Sequence, residues 1–90
     1  MKKILIAEDD FFIRDIYSKI FALSGYDVEV AVDGEDALNK IKLYLFDIVL
    51  LDIMMPKLTG LDVLKAVRDL PSPTKDTSIF LITNLGQEDV

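Results

Sequence analysis

The chain has 90 residues, 51% of them hydrophobic, and its 10 Lys and Arg against 16 Asp and Glu give a formal net charge of −6. This size and apolar content predict one compact globular domain and exclude a disordered chain. Nucleic acid and anionic membranes are excluded as expected partners, because both need clustered Lys and Arg. No Cys and no His are present, which excludes disulfides, thiol chemistry and imidazole catalysis. No apolar run suits a membrane-spanning helix or a signal peptide, so a cytoplasmic location is expected.

Apolar runs alternate with helical periodicity along the chain. Strands are predicted at residues 4–7, 28–32, 48–51 and 79–82, the first and third of them buried on both faces. Apolar residues spaced by three and four predict three helices between the strands. The apolar positions that mark these amphipathic helices are Phe12, Ile13, Ile16, Tyr17, Ile20 and Leu23 in the first helix, Ala37, Leu38, Ile41 and Leu45 in the second, and Leu61, Leu64, Val67 and Leu70 in the third.

The ends of these elements are marked by turn residues. Gly25 is expected to follow the first helix directly, and the proline-containing segment 71–74 to end the third. Residues 86–90 predict the start of a fourth helix. Strict alternation of strands and helices predicts an α/β fold, with a doubly wound parallel sheet between two helical layers and right-handed crossovers.

Polar side chains follow the predicted strands at their carboxyl ends. Glu8, Asp9 and Asp10 follow the first strand, Asp52 the third and Thr83 the fourth. If the strand order reverses between strands 1 and 3, then Glu8, Asp9 and Asp52 meet in one crevice. Carboxylates that close repel one another, so the crevice should hold a hard divalent cation, of which Mg²⁺ fits best, or show a raised pKa. A carboxylate in such a site can accept a phosphoryl group.

Each of these features has an ordinary structural explanation when it is taken alone. An acidic run after a strand is usually a solvated loop or a helix cap, and an Asp before a proline-containing loop is common turn chemistry. A hydroxyl at a strand end usually makes a local hydrogen bond, and Met54 and Met55 are typical of core or loop filling. The joint pattern, with each group after the appropriate strand, is much less frequent by chance.

Four parts of the chain resemble the receiver domain of two-component response regulators. They are ILIAEDD at residues 4–10 with Arg14 five positions after Asp9, AVDGEDAL at 31–38, DIVLLDIMMPKLTG at 47–60, and Thr83 at the position of the family's switch hydroxyl. The resemblance covers the whole chain. It implies a flavodoxin-like α/β fold with strand order 2-1-3-4, and a single receiver domain over residues 1–90 that lacks the fifth βα unit.

The resemblance also implies a role for each matched residue. Asp52 is the implied phosphoacceptor, which takes a phosphoryl group from a sensor histidine kinase or a phosphotransfer protein. The implied ligands of Mg²⁺ are Asp9 and Asp52 directly, Glu8 through water, and the backbone carbonyl of Met54. Thr83 is the implied switch, which turns toward the phosphoryl group and changes the surface of strand 4 and helix 4. The implied neighbours of the site are Asp10, Asn84, Pro56 and Lys57.

The chain departs from the family pattern after strand 4. No Lys follows Lys75, so the family's lysine and switch aromatic on and after strand 5 have no counterpart, and Asn84 stands where a small residue is usual. Strand 4 is expected to expose an apolar edge, and the first helix to lack the neighbour that would cover part of its apolar flank. Together these features predict self-association through strand 4, a partner that supplies the missing unit, or a marginal fold. Met54 and Leu85 are apolar at two positions where the family modulates phosphoryl lifetime, which predicts a long-lived phosphoform.

Two other functions are compatible with parts of the pattern. A truncated receiver that cannot be phosphorylated would act as an interaction or dimerisation module, as the absent lysine suggests. A magnesium-dependent phosphohydrolase that uses Asp52 as nucleophile is disfavoured, because haloacid-dehalogenase-like phosphatases need a second Asp where Met54 stands. Nucleotide binding is disfavoured because no Gly-rich loop follows a strand. Apart from its own phosphorylation and dephosphorylation, no enzyme activity is expected.

Overall fold

The structure is a computed structural model in which residues 1–83 are described. Its elements in chain order are β1 (Lys3–Ala7), α1 (Phe11–Leu23), β2 (Asp27–Ala31), α2 (Gly34–Leu43), β3 (Ile48–Asp52), α3 (Gly60–Arg68), a 3₁₀ turn (Thr74–Asp76) and β4 (Ser78–Ile82). These are the predicted strands and helices in the predicted order. The helix predicted to start at residues 86–90 lies outside the described residues.

The four strands form one parallel sheet in the order β2-β1-β3-β4. Ile4 of β1 lies opposite Val28 on one side and Ile48 on the other, and Leu50 of β3 lies opposite Phe80 of β4. The predicted doubly wound, flavodoxin-like α/β fold is therefore confirmed. The strand order reverses between β1 and β3, which is where a ligand crevice forms in such a sheet.

The main core lies between one face of the sheet and helices α2 and α3. Its fully buried side chains include Leu5, Val49 and Leu51 from the strands and Val63 and Val67 from α3. We call this side of the sheet the closed face. Alternation of side chains along each strand sends the neighbouring residues to the opposite face.

The sheet-facing row of α3 differs in part from the predicted apolar positions, of which Val67 is fully buried and Leu64 half-buried. Gly60, Val63 and Val67 face the sheet, whereas Leu61 is 48% exposed, and Leu70 lies beyond the end of the helix. The reason is the close approach of α3 to the end of β3, where a Cβ on residue 60 would come within 2.5 Å of the Asp52 carbonyl oxygen. At the end of β3, only the row of α3 residues that begins with Gly60 can face the sheet.

The opposite face of the sheet, which we call the open face, is covered by α1 over β1 and β2. Ile4 and Ile6 are fully buried there, but Phe80 on β4 is 56% exposed. The helix itself has no fully buried residue. Of its six apolar positions, Ile13 and Tyr17 are half-buried and four are exposed, namely Phe12, Ile16, Ile20 and Leu23. The apolar stripe of α1 is therefore covered only in part, because the stripe that faces the sheet is narrower than the apolar stripe.

Three further predictions need correction. The second strand ends at Ala31, so Val32 lies beyond it and is exposed, and α2 ends at Leu43, which leaves Leu45 outside the helix. The third strand is not buried on both faces, because Ile48 and Leu50 point to the open face and are only half-buried. Gly25, in contrast, follows α1 with a positive φ of 94°, as predicted.

The two edges of the sheet differ in their protection. At the β2 edge, the Val30 carbonyl accepts a hydrogen bond from the Lys40 ammonium, and the Val32 N–H donates to the Asp36 carboxylate at 3.0 Å. Among residues 1–83, β4 pairs with β3 alone. Within these residues β4 is therefore an apolar edge strand, as the sequence predicts, and self-association through this edge stays a prediction.

No helix in this part of the chain is long and apolar enough to cross a membrane.

Candidate functional site

Three carboxylates meet at the carboxyl end of the sheet, where the strand order reverses. Glu8 directly follows β1 and Asp52 ends the adjacent strand β3. One carboxylate oxygen from each of Glu8, Asp9 and Asp52 lies within 4.8 Å of the other two. Glu8 and Asp52 are buried, whereas Asp9 is exposed. The structure thus brings together the three carboxylates that the strand order was expected to juxtapose.

Asp10 lies outside this trio and caps the N-terminus of α1. Its carboxylate accepts hydrogen bonds from the backbone N–H groups of Phe12 at 2.9 Å and Ile13 at 3.1 Å. It therefore satisfies donors that the first turn of a helix leaves without partners. The side chains of Asp9 and Asp10 consequently have different surroundings although the two residues are adjacent.

Glu8 carries the unusual electrostatics of the site. Its Oε2 accepts a hydrogen bond from the Asp10 N–H at 3.2 Å, while its buried Oε1 has no partner among the described residues. Burial, together with the nearby Asp52 carboxylate, raises the pKa of Glu8 from 4.5 to about 7, and the Asp10 N–H opposes the rise. Crowded carboxylates share a proton when no cation compensates them. A cluster of carboxylates with one unpartnered buried oxygen also fits a hard cation such as Mg²⁺.

The β3–α3 loop is held firmly around Asp52. The Met54 N–H donates to Asp52 Oδ1 at 3.1 Å, and the Pro56 carbonyl accepts from the Gly34 N–H at 3.5 Å. Gly34 begins α2, and a Cβ there would overlap the Leu58 carbonyl. This close backbone contact joins the loop to the start of α2. Met54, the predicted carbonyl ligand, has a side chain that is 70% exposed.

Lys57 is directed away from the carboxylate trio. It has a positive φ of 70°, and its Nζ lies 3.6 Å from Asp33 Oδ2 and 3.5 Å from Glu35 Oε1. The Asp36 N–H, followed by Lys57, lowers the pKa of Asp33. The charges of Asp33 and Glu35 in turn raise the pKa of Lys57. The positive charge of this loop therefore faces the start of α2.

Thr83 directly follows β4 and is exposed. Asp52 lies opposite Ile82 in the sheet, and the Ile53 N–H donates to the Ile82 carbonyl at 2.9 Å. These contacts bring Thr83 to the carboxyl end of the strand next to Asp52. Asn84 and Leu85 lie outside the described residues.

Arg14 is a neighbour of the site to which the sequence assigned no role. Its Nη1 donates to the carbonyl oxygens of Glu8 at 2.8 Å and Asp9 at 3.4 Å. The spacing of five residues from Asp9 was the only sequence signal for this contact. Spacing alone does not reveal that the guanidinium turns back toward the end of β1.

The sequence model of the response regulator receiver domain family matches residues 4–90. The chain belongs to this family. The curated relatives that it matches are named as regulators and not as enzymes. A transcriptional regulatory protein, DltR of Streptococcus agalactiae serotype III (strain NEM316), is 46% identical over 85 residues, which make up 94% of this chain and 37% of that protein. CpxR of Escherichia coli K12, also a transcriptional regulatory protein, is 39% identical over 88 residues, or 98% of this chain and 36% of that protein. The receiver domain thus spans little more than a third of the length of these curated relatives.

Solved structures give the same assignment. The receiver domain is similar to the response regulator TrrA of Thermotoga maritima in complex with Mg²⁺-BeF, with a TM-score of 0.84, 37% identity, and coverage of 92% of this chain and 70% of that one. The chemotaxis response regulator CheY4 of Vibrio cholerae matches with a TM-score of 0.84, 40% identity, and coverage of 90% of this chain and 67% of that one. These similarities confirm the receiver fold and its relationship to two-component systems.

Proposed function

We propose that this receiver domain accepts a phosphoryl group on Asp52 from the phosphohistidine of a sensor kinase or phosphotransfer protein, with Mg²⁺ as cofactor, and that it works in the cytoplasm. The observation that carries the proposal is the meeting of Glu8, Asp9 and Asp52 within 4.8 Å at the reversal of strand order. The similarity to TrrA, whose structure contains Mg²⁺-BeF, supports it.

The chain's own residues define how the transfer would proceed. Asp52 Oδ1 is held by the Met54 N–H, so the other carboxylate oxygen attacks phosphorus. The P–N bond of the phosphohistidine breaks, and the imidazole leaves with the electron pair of that bond. Asp9 and Asp52 would hold Mg²⁺ directly, with Glu8 through water and the Met54 carbonyl as a further ligand. When bound, Mg²⁺ neutralises charge on the transferred group.

Thr83 is proposed as the switch that reports phosphorylation. Its position at the carboxyl end of β4, next to β3, supports this role. When its hydroxyl turns toward the phosphoryl oxygens, the segment after β4 follows and the surface that a partner contacts changes. Because DltR and CpxR are named as transcriptional regulatory proteins, we propose that the phosphoform controls transcription as part of a longer protein.

Intact mass after incubation with acetyl phosphate, with and without Mg²⁺, tests the phosphoacceptor. We expect the mass of one phosphoryl group to be added to the wild type only when Mg²⁺ is present, and not to be added to Asp52→Asn. Asp47→Asn is the matched control, because Asp47 lies just before β3 and its carboxylate instead accepts the Lys3 N–H at 2.8 Å. Labelling that persists in Asp52→Asn would reject the assignment.

A second candidate function is an interaction module that is not phosphorylated. It is favoured by the position of Lys57, which lies against Asp33 and Glu35, so that within residues 1–83 no Lys pairs with Asp52. A folded wild type that takes up no label with Mg²⁺ would select this function. Turnover of a phosphate ester would instead select the phosphohydrolase, which the apolar Met54 disfavours.

A further inference from the structure

Two arginines of the described chain use one guanidinium nitrogen to bind two backbone carbonyls of a nearby loop. Arg14 on α1 donates from Nη1 to the carbonyls of Glu8 and Asp9, at 2.8 and 3.4 Å. Arg68 on α3 donates from Nη1 to the carbonyls of Lys75 and Thr77, the latter at 2.8 Å. The two contacts are alike in chemistry, but only that of Arg14 reaches the residues of the carboxylate site.

The Arg14 contact restrains the backbone on both sides of Asp9. The carbonyls of Glu8 and Asp9 belong to the two consecutive peptide planes that flank the Asp9 Cα atom. Fixing both planes fixes the direction of the Cα–Cβ bond, and with it the region that the carboxylate can reach. Among residues 1–83, no backbone N–H, hydroxyl or basic side chain donates to the Asp9 carboxylate, and its only close side-chain neighbours are the carboxyl groups of Glu8 and Asp52. Apart from these neighbours, its orientation depends on its backbone.

Arg14 achieves this without neutralising the carboxylates. Within the described part of the chain it forms no ion pair, since the five close pairs between basic and acidic side chains involve only lysines. Its guanidinium lies 5.6 Å from the centre of the Phe11 ring, a distance that suits a cation–π contact. The ring and the two carbonyls together hold the planar group in one orientation. The charges of Glu8, Asp9 and Asp52 stay available to a cation.

We infer that Arg14 is a positioning residue for the cation site, which holds the two peptides around Asp9 so that its carboxylate already points toward the ion. This inference rests on the proposed binding of Mg²⁺. Residues that orient metal ligands commonly change metal affinity 10- to 100-fold when they are removed. We therefore expect Arg14→Met to weaken Mg²⁺ binding by about 10-fold.

Isothermal titration of Mg²⁺ into the wild type, Arg14→Met, Arg14→Lys and Arg68→Met tests the inference. Circular dichroism sets a temperature at which every variant is folded. Arg68→Met is the matched control, because it removes the same kind of two-carbonyl contact from the other loop; it should lower thermal stability but leave the Mg²⁺ dissociation constant unchanged. Arg14→Lys retains a cationic donor but lacks the planar guanidinium group. This variant should bind Mg²⁺ with an affinity between those of the wild type and Arg14→Met.

Labelling by acetyl phosphate over a range of Mg²⁺ concentrations separates positioning from general damage. Arg14→Met should need about 10-fold more Mg²⁺ for half-maximal labelling and should approach the wild-type rate at saturation. An unchanged Mg²⁺ affinity in Arg14→Met, or an equal loss in Arg68→Met, would overturn the inference. If Arg14→Met does not fold, a wild-type affinity of Arg14→Lys for Mg²⁺ would overturn the inference in its place. A wild type that shows no Mg²⁺ binding would instead reject the proposed cofactor, and the inference with it.

Discussion

The closed and open faces of the sheet are built from the same strands, yet they differ in how completely they are covered. Adjacent residues of β3 show the contrast, since Leu51 on the closed face is fully buried whereas Leu50 on the open face is only half-buried. By the alternation of side chains along a strand, Glu8 follows Ile4 and Ile6 on the open face, and Asp52 follows Ile48 and Leu50. The closed face thus provides most of the tight packing, while the carboxylate site lies at the end of the face that α1 covers in part.

Truncating the two leucines should give the largest effect and tests the contrast most directly. Leu51→Ala leaves a cavity in the closed core and should lower the free energy of unfolding by about 4 kcal/mol, within the range for buried leucines. Leu50→Ala, its matched control on the same strand, should cost roughly half as much, because water and mobile side chains can fill the space. Urea unfolding of both variants measures the difference. Equal losses would mean that the open face around Leu50 is covered in solution.

The raised pKa of Glu8 predicts an intermediate effect that depends on pH. Below 4.5 the carboxyl is protonated in both the folded and the unfolded state, so it makes no difference to stability. Between 4.5 and about 7 the unfolded state loses the proton first, so without metal this group destabilises the fold progressively as pH rises. At pH 8 the cost should be about 1–3 kcal/mol.

Chemical unfolding of the wild type and Glu8→Gln at pH 5 and pH 8 measures this effect. Glu8→Gln has no carboxyl at this position, so its stability relative to the wild type should increase between the two pH values. Saturating Mg²⁺ should remove that increase, because the cation stabilises the ionised form of Glu8. If the stabilities of the two proteins without Mg²⁺ change by the same amount between pH 5 and pH 8, the pKa of Glu8 is not raised.

The smallest effect is expected at the ion pairs of Lys57, which lies in the β3–α3 loop and is itself exposed. Lys57→Met removes the partner of Asp33 and Glu35, but exposed pairs contribute little to stability because water screens them. The urea midpoint should therefore stay unchanged. The pKa of Asp33, followed by nuclear magnetic resonance, should rise only in part, since the Asp36 N–H is the main cause of its lowering. Full return to the ordinary value would instead identify Lys57 as the dominant cause.

The positions of the carboxylates could be predicted because they depend on local patterns. Apolar runs defined the strands, and parallel strands end at the same edge of a sheet, so Glu8 and Asp52 had to lie near one another once β1 and β3 were adjacent. The resemblance to receiver domains added the strand order and the residue roles. Asp10 likewise has an ordinary capping pattern, which the structure contains.

Which apolar residues are buried could not be predicted in the same way. Helical periodicity identified an apolar stripe on α1 and on α3, but the angle at which each helix meets the sheet decides which part of the stripe is covered. The approach of Gly60 to the Asp52 carbonyl turned α3 toward Val63, and the placement of α1 over β1 and β2 left Ile16 exposed. Such contacts join residues that are distant in sequence and leave no periodic signal.

By itself, the sequence determined the order of the strands and α-helices within residues 1–83, the acidic character and the residues of the carboxylate cluster, because hydrophobic period and turn chemistry act over a few neighbouring residues. Only the tertiary structure decided that the Glu8 carboxylate is buried with one unpartnered oxygen, that Lys57 faces α2, and that Arg14 binds the two carbonyls beside the site. Burial, a raised pKa and a side-chain-to-backbone contact all depend on how separate elements pack against one another, which no local pattern records.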